Sequence, residues 1–585
     1  MASTSAMFTA LSGMTANARS LDVVGNNIAN VNTTAFKSNR VLFSTQFSRT
    51  LSLGTAPSDT SGGTNPGQIG MGVNVAGTQR SFTGGTISAT GDSRDLAIEG
   101  DGFFIVNRGG DQLYTRAGAF RTSATNDLVS VSGERLRGWT VDENFNVVQG
   151  TLVDLNIPLG AMTIAQPTGT TRFAGNLNAS GLLPTRGSSI SLLGSPGNGL
   201  RAVAGANPAP GAGNVLEMTT RLVDVEDPAA PGSGTRLFSA GQFLSFESVE
   251  KGGKTLPPAR LAIEDSTTIG DWSDFMAAIF GITTATGANP DGRQPGVGLD
   301  ASTGVLTIVG NTGTVNDLSI DASDIRLLDS SGAMVRSPLT IDKTAAADGE
   351  SVRTTFIVYD SLGTPVSADL SMVLDGRSDS GTTWRYYVES ADDSDLSRFV
   401  ASGVVGFDTR GQLSTPDPIR VTIDRAGTGA ATPLTFDLDL AGGAGNVTSL
   451  TDTTSAIAAT FADGSPIGTL IAYAVGQDGV IIGSFTNGLT RTIGQVALAK
   501  FPNAEGLADV GGNMFRVGPN SGTPVVAQPQ SMGAGRLVGG ALELSNVDLS
   551  QEFINMILAS TGYSASSRVI RTTDELIQQL LVLGR

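Results

Sequence analysis

The chain of 585 residues contains neither cysteine nor histidine. Without cysteine it forms no disulfide, thiolate nucleophile or iron–sulfur cluster. Without histidine it has no Ser-His-Asp triad and no imidazole metal ligand. Chemistry based on Lys, Asp, Glu, Tyr or Ser stays possible, but no motif for it is found. We therefore expect no catalytic residue, no metal site and no cofactor.

Charged residues and long apolar runs are also scarce. Only 16% of the residues are charged, the net charge is −17, and lysine and arginine form no cluster. Because phosphate binding requires clustered cations, nucleic acid is excluded as a main partner. No run of about 18 apolar residues occurs, so we predict no membrane-spanning segment. The first residues also lack the basic region and apolar stretch of a cleaved signal peptide.

Apolar residues at both ends of the chain recur every seven residues. Near the start the repeat consists of Met7, Met14, Leu21 and Ile28, with Leu11 between the first two. Near the end it consists of Leu549, Met556, Tyr563, Ile570 and Ile577, followed at plus three by Ala559, Ser566, Thr573 and Leu580. Such a stripe on a helix requires a partner helix. We predict helices over 4–30 and 546–584 that meet each other or the same helices of neighbouring subunits.

Asparagine and glycine interrupt these helical patterns. Asn27, Asn30 and Asn32 either end the first helix, because asparagine favours caps and turns, or bridge neighbouring subunits. Gly25 and Gly562 lie inside the predicted helices, where glycine costs about 1 kcal/mol relative to alanine. These two glycines are either neutral or allow two helices to approach closely.

The sequence between the two ends is typical of β-structure. Residues 33–75 are rich in Ser, Thr and Gly and predict an extended connector with little secondary structure. Strict apolar alternation over 366–374 predicts a strand with one buried face, and Asp478-Gly479 and Asn487-Gly488 predict hairpin turns. The predicted fold is therefore α+β and multidomain, with paired, coiled-coil-like N- and C-terminal α-helices and nested, mainly antiparallel β domains between them.

The paired ends require the β-rich body to leave the helices and return to them. We therefore predict regions that are built from one early and one late segment of the chain. They are a terminal helical assembly domain (1–32 and 546–585), the extended connector (33–75), an inner β domain (76–165 and 440–545), an outer β domain (166–185 and 336–439) and an inserted additional outer domain (186–335).

Several segments resemble the bacterial flagellar axial proteins, the family of rod and hook subunits. The first helix runs into Ala29-Asn30-Val31-Asn32 and then into Thr33 to Lys37, which is similar to the family's Thr-x-x-Phe-Lys segment. Further similar segments are LAIEGDGFFIV (96–106), YTRAGAF (114–120), VYDSLGTP (358–365), GALELSNVDLSQEFINMI (540–557) and RVIRTTDELIQQLLVL (568–583). The resemblance covers about 1–180 and 345–585. The chain length and residues 478–503 favour the hook members over the distal rod members.

The resemblance implies a structural subunit that polymerises into a flexible curved tube, the hook, which acts as a universal joint between rod or motor and filament. The implied partners are further copies of the chain, the rod, hook-cap and hook-filament junction proteins, and the flagellar type III export apparatus. The implied location is outside the cell, in the flagellum, without membrane insertion. The alternatives are a distal rod subunit and a secreted β-rich adhesin.

We expect the assembly contacts on the two terminal helices and the asparagine-rich stretch. The expected residues are Met7, Leu11, Met14, Leu21, Ile28, Asn27, Asn30, Asn32, Leu549, Phe553, Met556, Tyr563, Ile570, Ile577 and Leu580.

Overall fold

The computed structural model describes residues 2–204, 215–415, 418–442, 445–451 and 453–583. Four of the predicted regions include residues outside this range. They are 1, 584 and 585 of the helical domain, 205–214 of the inserted domain, 416–417 of the outer β domain, and 443–444 and 452 of the inner β domain. The chain forms two compact units. One contains the residues up to Thr163 together with those from Thr469 onward, and the other contains Ile164–Gly468.

Helices lie at both ends of the described chain, as predicted. The α-helices are α1 (Ala2–Ala29), α2 (Ile269–Ile279) and α3 (Leu549–Leu583). Helix α3 begins after Asp548, whose carboxylate accepts the backbone N–H groups of Ser550 and Gln551. An aspartate in this place satisfies N–H groups that have no partner inside the helix.

Strands make up most of the remaining regular structure, so the predicted β-rich body is confirmed. In chain order they are β1 (Asn39–Thr45), β2 (Ser48–Ser52), β3 (Gly67–Gly70), β4 (Val73–Arg80), β5 (Ile87–Ala89), β6 (Leu96–Glu99), β7 (Phe103–Arg108), β8 (Asp111–Thr115), β9 (Phe120–Thr122), β10 (Leu128–Ser130), β11 (Arg135–Trp139), β12 (Val153–Asp154), β13 (Thr163–Gln166), β14 (Thr170–Asn178), β15 (Gly187–Leu193), β16 (Phe243–Phe246), β17 (Glu250–Lys251), β18 (Lys254–Thr255), β19 (Ala259–Ala262), β20 (Gly296–Asp300), β21 (Val305–Thr312), β22 (Leu318–Ser319), β23 (Ile325–Leu328), β24 (Met334–Arg336), β25 (Thr340–Ala345), β26 (Ser351–Tyr359), β27 (Pro365–Ser378), β28 (Gly381–Ser390), β29 (Phe399–Phe407), β30 (Ile419–Ile423), β31 (Leu434–Asp439), β32 (Val447–Leu450), β33 (Ala456–Ala462), β34 (Ser465–Val475), β35 (Val480–Phe485), β36 (Thr490–Val496), β37 (Leu498–Lys500), β38 (Ala508–Gly511), β39 (Met514–Arg516), β40 (Val525–Ala527), β41 (Arg536–Gly539) and β42 (Ala541–Glu543).

Residues 33–75 were predicted as a connector with little secondary structure. Most of them instead belong to a β-arm, residues 39–80, which is two strands wide and contains four strands. Strand β1 pairs antiparallel with β4, and β2 pairs antiparallel with β3. The prediction is wrong because the Ser, Thr and Gly composition hides a period-two pattern, in which alternate side chains of β4 are half-buried. A lone two-stranded hairpin is marginal in water, and here β1 and β4 pack against α1.

The first unit also contains a mainly antiparallel sheet with the strand order β34-β35-β36-β11-β7-β8-β39-β38. Early strands such as β7 and β11 therefore lie among late strands such as β36 and β39, as nested segments require. The two predicted hairpin turns are confirmed, because Gly479 and Gly488 adopt φ angles of 78° and 81° between the antiparallel strands β34, β35 and β36.

In the second unit, two sheets share one hydrophobic core. One sheet has the order β26-β27-β28-β29, and the other contains β30, β31, β14, β32 and β33. The predicted strand is confirmed as β27, and its alternating residues Val366, Ala368, Leu370, Met372 and Leu374 are all buried. The other face is not fully exposed as predicted, because Ser371 and Val373 are buried as well. Strands β32 and β33 pair with β14. This sheet therefore continues past residue 440, where the sequence predicted the return to the inner β domain.

A second core in the same unit extends from Ile190 to Leu339 and includes α2. Strand β15 pairs with β25, so the two ends of this segment meet. The segment therefore continues to β25, past the boundary predicted at residue 335. Helix α2 begins after Thr268, the N-cap residue, which forms a capping box with Asp271.

Candidate assembly site

Helices α1 and α3 lie antiparallel against each other. Asn27 Nδ2 donates to Glu552 Oε1 at 3.1 Å. Further along, Asn17 contacts α3 at Gly562, and Gly13 contacts it at Ser566. Later positions of α3 thus face earlier positions of α1, so the two helices run in opposite directions. This is the first of the two predicted arrangements, in which the ends of one chain meet each other.

Small and polar residues form this contact, which we call the small-residue seam: Gly13, Asn17 and Asn27 on α1, and Glu552, Gly562 and Ser566 on α3. A β-carbon at Gly562 would lie 2.8 Å from Asn17 Nδ2, and one at Gly13 would lie 3.2 Å from Ser566 Oγ. Glycine therefore allows the two backbones to approach closely at these points. Gly25 differs, since a β-carbon there would meet no described atom within 4 Å.

The predicted apolar residues of the two helices are partly buried or exposed within one chain. Those that are only partly buried are Met7, Met14, Leu21, Ile28, Met556, Ile570 and Ile577. Those that are exposed are Leu11, Leu549, Phe553, Tyr563 and Leu580. The buried side chains of the two helices are smaller, for example Ala16 and Ala559. Within one chain, the large apolar side chains are therefore mostly left without a full covering.

The three predicted asparagines have different environments. Asn27 is fully buried; its amide donates to the carbonyl of Asn39 at 2.7 Å and accepts the backbone N–H of Asn39 at 3.0 Å. Asn30 donates to the carbonyl of Asn26 at the end of α1, as expected for a residue that ends a helix. Asn32 is exposed. Asn27 thus ties α1 to the first strand of the β-arm within one molecule.

A buried cluster of three charged groups lies where α1 and α3 join the β-structure. We call Lys37, Arg116 and Glu543 the junction cluster. Lys37 Nζ lies 2.7 Å from Glu543 Oε1, and Arg116 Nε lies 3.2 Å from Glu543 Oε2. The Lys37 and Glu543 side chains are 0% and 1% exposed. The cluster therefore joins three segments that are distant in sequence.

Backbone groups complete the junction cluster. Lys37 Nζ donates to the carbonyl of Thr83 at 2.7 Å, and the N–H of Gly85 donates to Glu543 Oε1 at 2.8 Å. Arg116 Nη1 donates to the carbonyls of Gly100 and Gly102. Burial lowers the pKa of the Lys37 ammonium, and the nearby Glu543 carboxylate opposes that shift. Lys37 and Glu543 Oε1 are thus paired and hydrogen-bonded, as a buried charge requires. Arg116 Nε and Glu543 Oε2 form an ion pair without a hydrogen bond.

Sequence reasoning did not identify the junction cluster as a site. A signal was nevertheless present, because Lys37, Arg116 and Glu543 each belong to one of the segments that carry the family resemblance. Periodicity cannot reveal a cluster whose members come from separate strands and loops.

No described helix is long and apolar enough to cross a membrane. No group of three or more Asp, Glu, His or Cys residues in the described ranges is placed to hold a metal ion.

Four family models match the chain. They are "Flagella basal body rod protein" at residues 7–37, "Flagellar hook protein FlgE/F/G D1 domain" at 97–173, "Flagellar basal body protein FlaE D2 domain" at 327–464 and "Flagellar basal body rod FlgEFG protein C-terminal" at 538–583. The helix pair lies largely within the matched ranges, and so do all three residues of the junction cluster.

Curated relatives match over nearly the full length. Flagellar hook protein FlgE of Treponema pallidum is 29% identical, over 99% of both chains. Those of Borreliella burgdorferi and Caulobacter vibrioides are each 27% identical, over 99% and 100% of both chains. A crystal structure of Helicobacter pylori flagellar hook protein FlgE2 aligns at 16% identity and a TM-score of 0.36, covering 78% of this chain and 100% of that chain.

The antiparallel terminal helices and the nested β-structure thus lie in a chain that resembles the axial subunits of bacterial flagella. Models of flagellar rod and hook proteins match four parts of it, and the relatives that align with its full length are named as flagellar hook proteins.

Proposed function

We propose that this chain is the structural subunit of the bacterial flagellar hook and polymerises into a flexible curved tube between rod and filament. Relatives named as hook proteins align with it from end to end, which favours the hook over the alternative of a distal rod subunit. The observation that carries the assembly mechanism is the exposed apolar surface of α1 and α3, which remains after the two helices have paired.

Many large apolar side chains of the helix pair are exposed. Those more than 36% exposed are Phe8, Leu11, Leu549, Phe553, Ile554, Ile557, Leu558, Tyr563, Val569, Leu576, Leu580, Leu581 and Val582. Extensive exposure of apolar side chains on a soluble protein favours an interaction surface. Side-to-side packing of these helices between copies would remove these side chains from water and hold a tube together.

The β-structure has a different role in this proposal. The predicted inner, outer and inserted regions form the wall and outer surface of the tube, with weaker and more polar contacts that slide as the tube bends. Coiled-coil-like packing of the terminal helices stays restricted to the inner layer. Asn32, which is exposed, is available for a contact between subunits, whereas Asn27 is already used within the chain.

The subunit of an exported tube also requires partners at the two ends of the tube and a route out of the cell. Further copies are the main partner, and the rod, hook-cap and hook-filament junction proteins contact the two ends of the tube. The chain reaches the outside of the cell through the flagellar type III apparatus. Its role is mechanical, and it catalyses no reaction.

Polymerisation of purified full-length variants tests the proposal. We expect Ile557→Gln and Leu558→Gln to prevent tube formation, because both side chains are more than 60% exposed on α3 and are buried only between copies. Sedimentation and negative-stain electron microscopy measure the polymer. Val131→Gln is the matched control, since Val131 is 71% exposed but lies outside the helices. Normal tubes from both α3 variants would contradict the proposal.

The same images separate hook from rod. Curved, flexible tubes from the unmodified chain support the hook assignment, whereas straight, rigid tubes would support the distal rod alternative. If the chain were a secreted adhesin, the unmodified chain would form no tubes.

A further inference from the structure

An apolar groove lies between α1 and the β-arm in the first unit. Its volume is about 640 Å³, and its lining includes Phe8, Leu11, Phe47, Met71 and Val73. A cavity of about 150 Å³ is large enough to hold one benzene molecule, so this groove has room for several aliphatic side chains.

The side chains of the groove are not covered within the chain. Phe8, Leu11 and Phe47 are 66%, 51% and 82% exposed. Both strands at the tip of the β-arm, β2 and β3, also pair only with each other among the described residues. A two-stranded ribbon beside an open apolar groove gains stability from a further apolar partner.

The last turns of α3 carry a matching set of exposed side chains, which we call the terminal knob: Leu576, Leu580, Leu581 and Val582. Their exposed fractions rise from 57% to 76%. The Gly13–Ser566 contact, continued one residue at a time, places Ile577 opposite Ala2. The final turn of α3 therefore extends past the described part of α1, and it does not fill the groove of its own chain.

Charge is complementary between the knob and the groove. Arg19 lines the groove, and Arg49 lies on β2 of the β-arm; neither forms an ion pair with another described residue. Asp574 and Glu575 immediately precede the knob and are exposed. An approach of the knob to the groove brings opposite charges together at the rim, which favours one orientation over the others.

We propose that the terminal knob of one subunit inserts into the α1–arm groove of a second copy. The contact joins two different surfaces, so each added subunit presents a new unoccupied groove or knob. Contacts of this heterologous kind produce open helical polymers when the rotation does not close. The inference rests on the proposed function and specifies which surfaces meet in the polymer.

The absence of cysteine makes the proposal directly testable with full-length chains. Asn74, which lines the groove, is changed to cysteine in one variant, and Gln579, which lies within the turn that carries the knob, in another. Neither change removes an apolar side chain. The two variants are mixed, allowed to assemble and treated with a short bis-maleimide. Ser132→Cys, on an exposed turn of the β-structure, replaces Asn74→Cys in the control mixture.

We expect the Asn74→Cys and Gln579→Cys mixture to give about 100-fold more crosslinked dimer than the control mixture, as a held contact raises the effective concentration. A chain carrying both changes should give a ladder of crosslinked multimers. Tubes that form without this crosslink would overturn the inference and leave the proposed function standing. An intramolecular crosslink in dilute doubly changed chains would also overturn it. Failure of all mixtures and of the unmodified chain to polymerise would contradict both.

Discussion

Helices α2 and α3 use their apolar residues in opposite ways. Helix α2 has 11 residues and buries Ile269, Trp272, Ser273, Phe275, Met276 and Ile279 against the core of its own unit. Helix α3 has 35 residues, yet its buried side chains among the described residues are only Ala559 and Thr573. The short helix is completed by the monomer, whereas the long helix is not. Apolar content alone therefore does not show whether a helix belongs to a folding core or to an interface between copies.

The C-terminal end of α2 is buried and hydrogen-bonded within its unit, whereas the described C-terminal end of α3 is exposed. The carbonyls of Phe280 and Gly281, at the C-terminal end of α2, accept hydrogen bonds from Lys251 Nζ at 2.9 and 3.2 Å. Lys251 also pairs with Glu389 at 2.5 Å, and both side chains are buried. Burial lowers the pKa of the Lys251 ammonium, and Glu389 opposes that shift. In contrast, the described end of α3 exposes the terminal knob. Substitutions in the two helices should therefore have very different effects.

The largest effect is expected at the end of α2. Lys251→Met should lower the free energy of unfolding of the second unit by about 3–5 kcal/mol, because it removes the ammonium that pairs with the buried Glu389 carboxylate. Differential scanning calorimetry of the full chain measures the loss. The double variant Lys251→Met with Glu389→Leu should recover part of it, since the buried carboxylate is removed, but the charge of the nearby Arg398 then loses Glu389. A double variant as unstable as the single one would show that the buried Glu389 carboxylate is not the cause of the loss.

The next effect is expected in the small-residue seam. Gly562→Ala should destabilise the helix pair by about 1–3 kcal/mol, because the new β-carbon would lie 2.8 Å from Asn17 Nδ2. Amide hydrogen exchange of α1 and α3 measures the change. Unaltered protection of both helices would show that Asn17 moves aside at no cost.

Gly25→Ala is the matched control and should act in the opposite direction. No described atom would lie within 4 Å of the added β-carbon, so only the helix propensity changes. We expect about 1 kcal/mol of stabilisation of α1, seen as slower amide exchange. A loss of stability would mean that this position meets an atom in solution that the structure does not place there.

The smallest effect on the monomer is expected on the exposed face of α3. Ile557→Gln should change the free energy of unfolding by no more than about 0.5 kcal/mol, since Ile557 is 61% exposed. Chemical denaturation at low protein concentration measures it. A loss of several kcal/mol would show that this face is buried within a single chain, and the contrast between α2 and α3 would then disappear.

Local patterns predicted many elements correctly. The structure contains the predicted terminal helices and strand β27, which depend on short-range periodicity. It also contains the two predicted hairpin turns at Gly479 and Gly488, each of which depends on one backbone conformation. The β-arm was missed because its composition resembles that of a loop. The boundaries near 335 and 440 were misplaced because they depend on pairing of β25 with β15 and of β32 and β33 with β14, which local patterns do not encode.

At the candidate assembly site, too, some features follow from local sequence patterns and others depend on contacts between distant segments. The seven-residue repeat is enough to predict that both ends are helices with apolar stripes, because such a repeat specifies a helix and a face. Which face pairs within the chain depends on the close approach of the two backbones at Gly13 and Gly562, and local sequence does not encode that approach. The tertiary structure also determines that Lys37, Arg116 and Glu543 meet, since a buried charge finds its partners only when distant segments have folded together.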